Sequence, residues 1–212
     1  MQTVAIIDYG SGNVRSVERA LTEAARRSAQ AIDVRLTHDP AFVARADRIV
    51  LPGQGAFAQC MGALSADAPL LAAMTEAVRA RAVPFLGICV GMQLLMREGH
   101  EHGVHAGLNW IDGVVRRHEG GERLPHMGWN AATPTQVHPV LDGLAPSRHM
   151  VFMHSFVAEP ADPSAVAARA EYGAAFASAV ARDNIVGVQF HPEKSQAAGL
   201  DLLARFLQWS PR

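Results

Sequence analysis

Short apolar runs alternate with segments of helical periodicity through the first half of the chain. Strands are predicted at residues 4–7, 32–36, 48–51 and 82–86, each of which is mostly apolar. Helices are predicted at residues 11–28, where Val14, Val17, Leu21 and Ala24 share one face, and at residues 69–81. Strands and helices that alternate in this way predict a parallel sheet with helices on both faces.

The second half of the chain has a different pattern. Residues 113–188 contain short alternating pieces separated by turn residues, which is typical of antiparallel strands. Residues 186–190 form another apolar run, and residues 196–209 have the period of an amphipathic helix. No repeat, linker or low-complexity segment interrupts the chain, so residues 1–212 are predicted to form a single domain.

Composition excludes several classes of protein. The 212 residues carry a formal net charge of −1, which argues against a basic nucleic-acid-binding surface. No apolar run reaches the roughly 18–20 residues that cross a bilayer, and the N-terminus lacks the basic region of a signal peptide. Two cysteines are too few for a disulfide scaffold and favour a reducing compartment. We therefore expect a cytoplasmic protein.

Cys89 is the first candidate for catalytic chemistry. It lies in Gly87-Ile88-Cys89-Val90-Gly91, between the strand predicted at residues 82–86 and a helical stretch at residues 92–96. A strand, a tight glycine-flanked turn and a helix are the context of a nucleophile elbow, with Cys where many hydrolases have Ser. The positive end of such a helix favours the nucleophilic thiolate. A buried structural cysteine is the alternative interpretation.

A histidine and a carboxylate follow the apolar run at residues 186–190. On an extended segment residues i and i+2 face the same way, and Pro192 is expected to keep the segment extended, so His191 and Glu193 should meet. A carboxylate beside a histidine fixes the ring tautomer and stabilises the imidazolium. Cys89 and His191 both follow predicted parallel strands, at the edge where open α/β sheets place their sites.

These residues give the chain a resemblance to a known family. Gly87-Ile88-Cys89-Val90-Gly91-Met92-Gln93 with His191-Pro192-Glu193 is similar to the class I glutamine amidotransferases, whose catalytic residues run in the order Cys, His, Glu. Segments at residues 8–13, 51–57, 125–130 and 187–195 resemble the glutaminase subunits of imidazole glycerol phosphate synthase. The resemblance covers essentially the whole chain. It implies an α/β fold with a three-layer, doubly wound, mixed and mostly parallel sheet, helices on both faces and short antiparallel strands.

The resemblance also implies roles for individual residues. The catalytic nucleophile, proton shuttle and orienting carboxylate would be Cys89, His191 and Glu193. Backbone N–H groups of the oxyanion hole would come from Val90 and from the loop of Gly53, Gln54 and Gly55. The substrate would be held by Gly53, Gln93, Ser155 and Phe156. The interface with a partner is expected at Asn13, Trp129, Asn130 and Lys194.

The activity implied by the resemblance is hydrolysis of glutamine to glutamate and ammonia through a thioester. The ammonia would pass to a (βα)8-barrel cyclase subunit, which makes imidazole glycerol phosphate and an aminoimidazole carboxamide ribotide in histidine biosynthesis. No cofactor is implied. No metal is expected either, because His100, His102 and His105 match no metal-site spacing and are predicted to lie in a solvated loop.

Two departures from the family pattern and three alternatives remain open. Gln54 stands where the family usually has an aliphatic residue, which bears on how readily the loop flips, and Val151 stands where it usually has Tyr. A glutaminase for another pathway, such as vitamin B6 or anthranilate synthesis, is the first alternative. The second is a free-standing thiol hydrolase of γ-glutamyl peptides. The third is an inactive binding subunit, which the intact Cys, His and Glu positions disfavour.

Overall fold

A computed structural model describes residues 1–10, 13–28, 31–120 and 122–211. Its strands are β1 Gln2–Ile7, β2 Ile32–Thr37, β3 Arg48–Gly53, β4 Phe85–Cys89, β5 Glu98–Gly99, β6 His105–Ala106, β7 Gly113–Arg117, β8 His126–Pro134, β9 Arg148–His154, β10 Phe156–Pro160, β11 Val166–Tyr172, β12 Ala174–Arg182 and β13 Ile185–Val188. Its helices are α1 Val14–Arg27, α2 Pro40–Val43, α3 Phe57–Ala66, α4 Ala68–Thr75, α5 Val90–Gln93 and α6 Gln196–Gln208. Short 3₁₀ turns lie at Asp142–Leu144, Pro163–Ala165 and Pro192–Lys194.

The main sheet is mixed. Among the described residues its strands lie in the order β2-β1-β3-β4-β13-β12-β11-β8-β9. The strands from β2 to β13 in this order pair in parallel, and every pairing from β13 to β9 is antiparallel. A smaller sheet has the order β10-β7-β5-β6. The α/β fold class predicted from the sequence is confirmed, including the antiparallel strands of the second half.

The helices cover the sheet with their apolar faces. Val17, Leu21 and Ala24 of α1 are buried, as their spacing predicts. α1 packs against α6, whereas α2, α3 and α4 form a second group of contacts. α1 begins at Val14 and is preceded by Asn13 in a left-handed conformation; Ser11 and Gly12, where the sequence pattern places the start of this helix, lie outside the described residues.

The segment that leads into β4 differs from the sequence prediction in two ways. The helix predicted at residues 69–81 is α-helical only to Thr75 and continues as a π turn over Glu76–Ala80. The strand predicted at residues 82–86 begins only at Phe85, because Ala82 has a φ of 54° and the chain turns there.

A buried amide stabilises this irregular connection. The side chain of Asn184, just before β13, donates to the carbonyl oxygens of Val78 and Val83 at 2.9 and 2.7 Å. Buried carbonyl groups outside regular structure need such a donor. Asn184 is far from this segment in the sequence, so no local pattern reveals the contact.

Candidate active site

Cys89 occupies a strained turn at the end of β4. Its φ of 55° and ψ of −112° are rarely adopted by a residue with a side chain. A Cβ on Gly91 would overlap the carbonyl oxygen of Leu51, and one on Gly53 would lie 2.6 Å from the nitrogen of Gly91. Glycine is therefore required where β3 packs against the turn, with Gly53 level with Cys89 in the sheet register. This is the geometry of a nucleophile elbow.

The helix that follows Cys89 is shorter than expected. α5 spans only Val90–Gln93, so the helical stretch predicted at residues 92–96 is wrong in its extent, and the chain continues in turns. A single helical turn has a small dipole, because the dipole grows with the number of aligned peptide groups. Individual hydrogen-bond donors and charges near the sulfur must therefore supply most of the stabilisation of a thiolate.

His191 and Glu193 meet, but not on an extended segment. β13 ends at Val188, and Pro192–Lys194 form a 3₁₀ turn whose first position suits proline. The extended conformation expected here is therefore wrong. The turn still brings Nδ1 of His191 within 2.8 Å of Oε1 of Glu193, whose side chain is completely buried. The amide of Asn13 donates to the same oxygen at 2.6 Å.

The surroundings of His191 favour its protonated form. Burial disfavours the imidazolium, but the interactions with Cys89 and Glu193 outweigh burial and raise the pKa of His191 to about 10. The buried Nε2 of His191 is outside hydrogen-bonding geometry with every described group, including Cys89. The attraction between ring and sulfur grows as the sulfur gains negative charge.

Two side chains hold the loop of residues 52–55 beside Cys89. The hydroxyl of Tyr9 donates to the carbonyl oxygen of Pro52 at 2.8 Å, and the thiol of Cys60 donates to that of Gln54 at 3.3 Å. The sequence pattern assigns no role in the site to Cys60 or to the hydroxyl of Tyr9. The first contact joins distant parts of the chain, and the second links the loop to the first turns of α3, so neither follows from apolar periodicity.

A cavity of about 360 Å³ opens at Cys89. Its lining includes most of the residues expected to bind the substrate or the oxyanion: Gln54, Gly55, Val90, Gln93, Ser155 and Phe156. Gly53 is buried and does not line the cavity. The volume suits a small ligand such as an amino acid. A separate cavity of about 320 Å³, bordered by Arg117 and Arg169, contains none of the predicted site residues.

Comparison with known proteins decides the family. Residues 5–209 match the family model described as glutamine amidotransferase class-I. The chain belongs to the class-I glutamine amidotransferase family. The imidazole glycerol phosphate synthase subunit HisH of Caulobacter vibrioides is 54% identical to it over 214 residues, covering 100% of both chains. The subunit of the same name from Rhodospirillum rubrum is 49% identical and covers 98% of this chain and 99% of its own.

Two solved structures share the amidotransferase fold. One is described as a glutamine amidotransferase and matches with a TM-score of 0.72, covering 97% of this chain and 97% of that chain. The other is described as a glutamine amidotransferase from Thermotoga maritima and matches with a TM-score of 0.63, covering 91% of this chain and 76% of that chain. Their sequences are 19% and 17% identical to this one, so the likeness concerns the fold alone.

A pair of buried histidines extends away from the amidotransferase pocket. His154 lines the pocket, and its Nδ1 lies 3.1 Å from the carbonyl oxygen of Phe156, which can only accept. Nδ1 of His154 therefore carries the proton. Its Nε2 accepts from Nδ1 of His126 at 3.0 Å, and Nε2 of His126 accepts from the amide of Asn130 at 3.3 Å. Burial lowers the pKa of His154 to about 3 and that of His126 to about 4, so both rings are neutral.

The residues expected at a partner interface divide into two kinds. Trp129 is 51% exposed on β8, and Lys194 is exposed directly after Glu193. Asn13 and Asn130 are half-buried, and their amides are used inside the amidotransferase, by Glu193 in one case and by the carbonyl oxygen of Glu171 in the other. Trp129 is therefore not part of the hydrophobic core.

The structure places no metal-binding group at the histidines of residues 100–105. His100 lies 2.9 Å from a carboxylate oxygen of Glu98, and in the described part of the amidotransferase no group of three or more His, Cys, Asp or Glu is arranged to hold a metal ion. Within the same described segments, no helix has both the length and the apolar character needed to span a bilayer.

Proposed function

We propose that this chain is the glutaminase subunit of an imidazole glycerol phosphate synthase. It hydrolyses glutamine and passes the ammonia to a (βα)8-barrel cyclase subunit, which makes imidazole glycerol phosphate and an aminoimidazole carboxamide ribotide in histidine biosynthesis. The proposal rests on the strained Cys89 beside the buried His191–Glu193 pair. It is supported by full-length relatives named as subunits of this synthase.

The first half of the reaction transfers the glutamine acyl group to sulfur. The Cys89 thiolate attacks the side-chain amide carbon, and the carbonyl oxygen becomes an oxyanion held by the N–H of Val90 and an N–H of the 53–55 loop. Protonated His191 gives its proton to the amide nitrogen, so the C–N bond breaks, ammonia leaves and a thioester remains. Glu193 holds the imidazole in the orientation that this transfer needs.

The second half returns the enzyme to its starting state. Neutral His191 takes a proton from water, the resulting hydroxide attacks the thioester carbon, and the C–S bond breaks to release glutamate. Cys89 leaves as a thiolate beside the newly formed imidazolium. The raised pKa of His191 suits this cycle, because the ring and the sulfur begin and end it as a charged pair.

Gln93 contributes to substrate selection through its oxygen. Both hydrogens of its Nε2 are used, by the carbonyl oxygen of Phe156 at 3.0 Å and by Oε1 of Gln189 at 3.1 Å. The oxygen of Gln93 is left as an acceptor, which suits the α-ammonium group of glutamine. We assign the α-carboxylate to the backbone around Gly53, Ser155 and Phe156.

The docking surface for the cyclase is assigned to Trp129 and Lys194, with Asn13 and Asn130 at its inner edge. Truncation of an interface tryptophan commonly costs about 2 kcal/mol, or roughly a thirtyfold loss of affinity. Calorimetric titration of Trp129→Ala against the cyclase should show such a loss, with little change in the melting temperature of the free subunit. Val137→Ala, at an apolar position that is 93% exposed, is the matched control. Wild-type affinity in Trp129→Ala would move the interface elsewhere.

Three further assignments concern the location, the domain organisation and the cofactor requirement of the subunit. We place the subunit in the cytoplasm as a single domain of residues 1–212 that works without a cofactor. The match of residues 5–209 to one family model supports the single domain. The two free cysteines suit a reducing compartment.

Exchange of the nucleophile tests the proposed function. In complex with the cyclase, Cys89→Ala should abolish glutamine-dependent synthesis and leave synthesis from added ammonium salt unchanged. Cys60→Ser is the matched control, because it removes the other thiol and keeps a donor for the carbonyl oxygen of Gln54. Equal loss of both activities in Cys89→Ala would mean that Cys89 supports folding or docking, and unchanged glutamine-dependent synthesis would remove it from the reaction.

A further inference from the structure

A buried glutamine, Gln189, lies directly beside the nucleophile. β13 and β4 pair in parallel with Val188 opposite Ile88, so the next residues along both strands are neighbours. Gln189 is completely buried, and its backbone N–H donates to the carbonyl oxygen of Ser178 at 2.9 Å. Its side-chain Nε2 lies 3.7 Å from Sγ of Cys89, within range of a hydrogen bond to the large sulfur atom.

The direction of this amide is set by a backbone carbonyl group at the other end of a short chain of hydrogen bonds. The carbonyl oxygen of Phe156 can only accept, so the nitrogen of Gln93 must face it, at 3.0 Å. The same nitrogen donates to Oε1 of Gln189 at 3.1 Å. If Gln189 were turned over, two NH₂ groups would face each other. These hydrogen bonds can therefore be oriented in only one way, with an N–H of Gln189 directed at the sulfur of Cys89.

A donor fixed in this way favours the charged form of its acceptor. Hydrogen bonds to charged groups are stronger than those to neutral groups, so the amide gains more from a thiolate than from a thiol. The thiol has a weak alternative, since Sγ lies 4.0 Å from the carbonyl oxygen of Met153. We propose that Gln189 is a positioning residue that stabilises the Cys89 thiolate through an N–H whose direction is fixed by Gln93 and Phe156.

This role complements those of the ionisable groups around the sulfur. His191, backed by Glu193, supplies the positive charge, while His154 and Glu101 line the same cavity. Glu101 accepts a hydrogen bond from the N–H of Phe57 at 2.8 Å. A neutral amide adds stabilisation that is independent of the protonation of these groups. It also compensates for the small dipole of the short helix α5.

The role rests on the proposed glutaminase function, but its test requires neither glutamine nor the cyclase. The isolated full-length chain is treated with iodoacetamide between pH 5 and 9, and alkylation of Cys89, in which the sulfur displaces iodide, is followed by mass spectrometry of its peptide. In Gln189→Met, which removes the donor and keeps a side chain of similar length, the pH of half-maximal rate should rise by about one unit. At a pH below the half-maximal values of both proteins this corresponds to roughly tenfold slower alkylation.

Two controls separate this effect from a loss of packing. Ser178→Ala changes a buried neighbour of Gln189 whose hydroxyl has no partner among the described residues, and it leaves the amide in place. Gln208→Met makes the same exchange on the exposed surface of α6. Both should retain the alkylation profile of the wild type.

Further measurements cover the case in which Gln189→Met does not fold. Gln189→Glu keeps the shape and puts an oxygen opposite the sulfur, so its profile should move in the same direction by at least as much. In the wild type, the side-chain NH₂ signals of Gln189 in nitrogen-15 NMR should shift over the same pH range as alkylation. An unchanged profile in either folded variant, or NH₂ signals that ignore this transition, would overturn the role of Gln189. The ammonium experiment with Cys89→Ala would still decide the glutaminase function.

Discussion

The buried histidines around the active site are of two kinds, one charged and the other neutral. His191, His126 and His154 are 2%, 3% and 6% exposed, so burial alone would keep all three neutral. Interactions with Cys89 and with the carboxylate of Glu193, whose Oε1 lies 2.8 Å from Nδ1, raise the pKa of His191. The other two rings contact each other and neutral groups, and their pKa values are lowered. Interactions with the Cys89 sulfur and with the Glu193 carboxylate therefore decide that His191, alone of these three buried rings, takes up a proton.

The comparison also bears on which ring exchanges protons with the substrate. His154 lines the pocket, so its position alone would make it a candidate. Both of its nitrogens are engaged, however, and a pKa of about 3 makes it a poor base near neutrality. We therefore assign proton transfer to His191 and a structural role to His126 and His154.

Removal of the charged ring should have the largest effect. His191→Ala, measured in the complex with the cyclase, should lower the kcat for glutamine hydrolysis by about 10³-fold or more, because the ring that exchanges protons with the substrate is lost. His154→Gln is the matched control and should change the kcat by less than about tenfold. A comparable loss in both variants would show that proximity to the pocket matters more than the carboxylate.

Removal of the carboxylate charge should have a smaller effect on the same reaction. Glu193→Gln keeps the shape of the side chain but lowers the pKa of His191 towards its ordinary value, so the kcat should fall by about 10- to 100-fold. The pH at which the rate is highest should shift in the same direction as the pKa of His191. If the kcat and the pH optimum were both unchanged, the raised pKa of His191 would have no part in catalysis.

The two kinds of histidine should shape the pH dependence of stability in opposite ways. The pKa values of His126 and His154 are lower in the folded chain than in the unfolded chain, so their neutral forms stabilise the fold above about pH 6.5 and this contribution is lost towards pH 4 and 3. The pKa of His191 is raised, so its contribution is complete below about pH 6.5 and is lost as the pH rises towards 10.

Urea unfolding between pH 4 and 10 measures both contributions. In His154→Gln, the fall of the unfolding free energy towards acid pH should be smaller by on the order of 2 kcal/mol. In Glu193→Gln, its fall towards alkaline pH should be smaller. His149→Gln, on the exposed side of β9, is the control and should follow the wild type. Wild-type curves in both test variants would contradict the assignment of charge.

A carboxylate added to the neutral pair should produce the smallest of these effects. Asn130→Asp places an acceptor about 3.3 Å from Nε2 of His126, where the amide now donates, and should raise the pKa of His126 by about one unit from its low value. Titration of the ring signals by NMR measures the shift. Asn109→Asp, at an exposed position, should leave the pKa of His126 unchanged. An unchanged pKa of His126 in Asn130→Asp would show that a nearby carboxylate is not enough to favour the charged ring.

The parts of the site that could be predicted from the sequence are those with a local pattern. Cys89 between glycines, and His191 two residues before Glu193, combine residue types and spacings that belong to one segment each. The sheet follows from its apolar runs in the same way. Some local geometry was still mispredicted, because the 3₁₀ turn at Pro192–Lys194 and the single turn of α5 depend on the surrounding packing.

The parts that could not be predicted are contacts between distant segments. Gln189 is only one residue of an apolar motif until β13 is placed beside β4. Tyr9 becomes relevant only once β1 is placed beside β3 and its hydroxyl reaches the loop of residues 52–55. The lowered pKa of His126 likewise depends on its burial, with the Tyr172 ring stacked on it at a centroid distance of 4.1 Å, and on His118. Periodicity contains no information about such pairings.

The protonation states of the three buried rings can be measured directly in the isolated chain at pH 8. Nitrogen-15 NMR distinguishes a ring with two N–H groups from a ring with one, and the loss of signals in His191→Ala assigns the ring beside Glu193. Two N–H groups on His191 and one each on His126 and His154 are the predicted result. A neutral His191 at this pH, or a protonated His154, would contradict the claim that Cys89 and Glu193 make His191 the charged ring of the three.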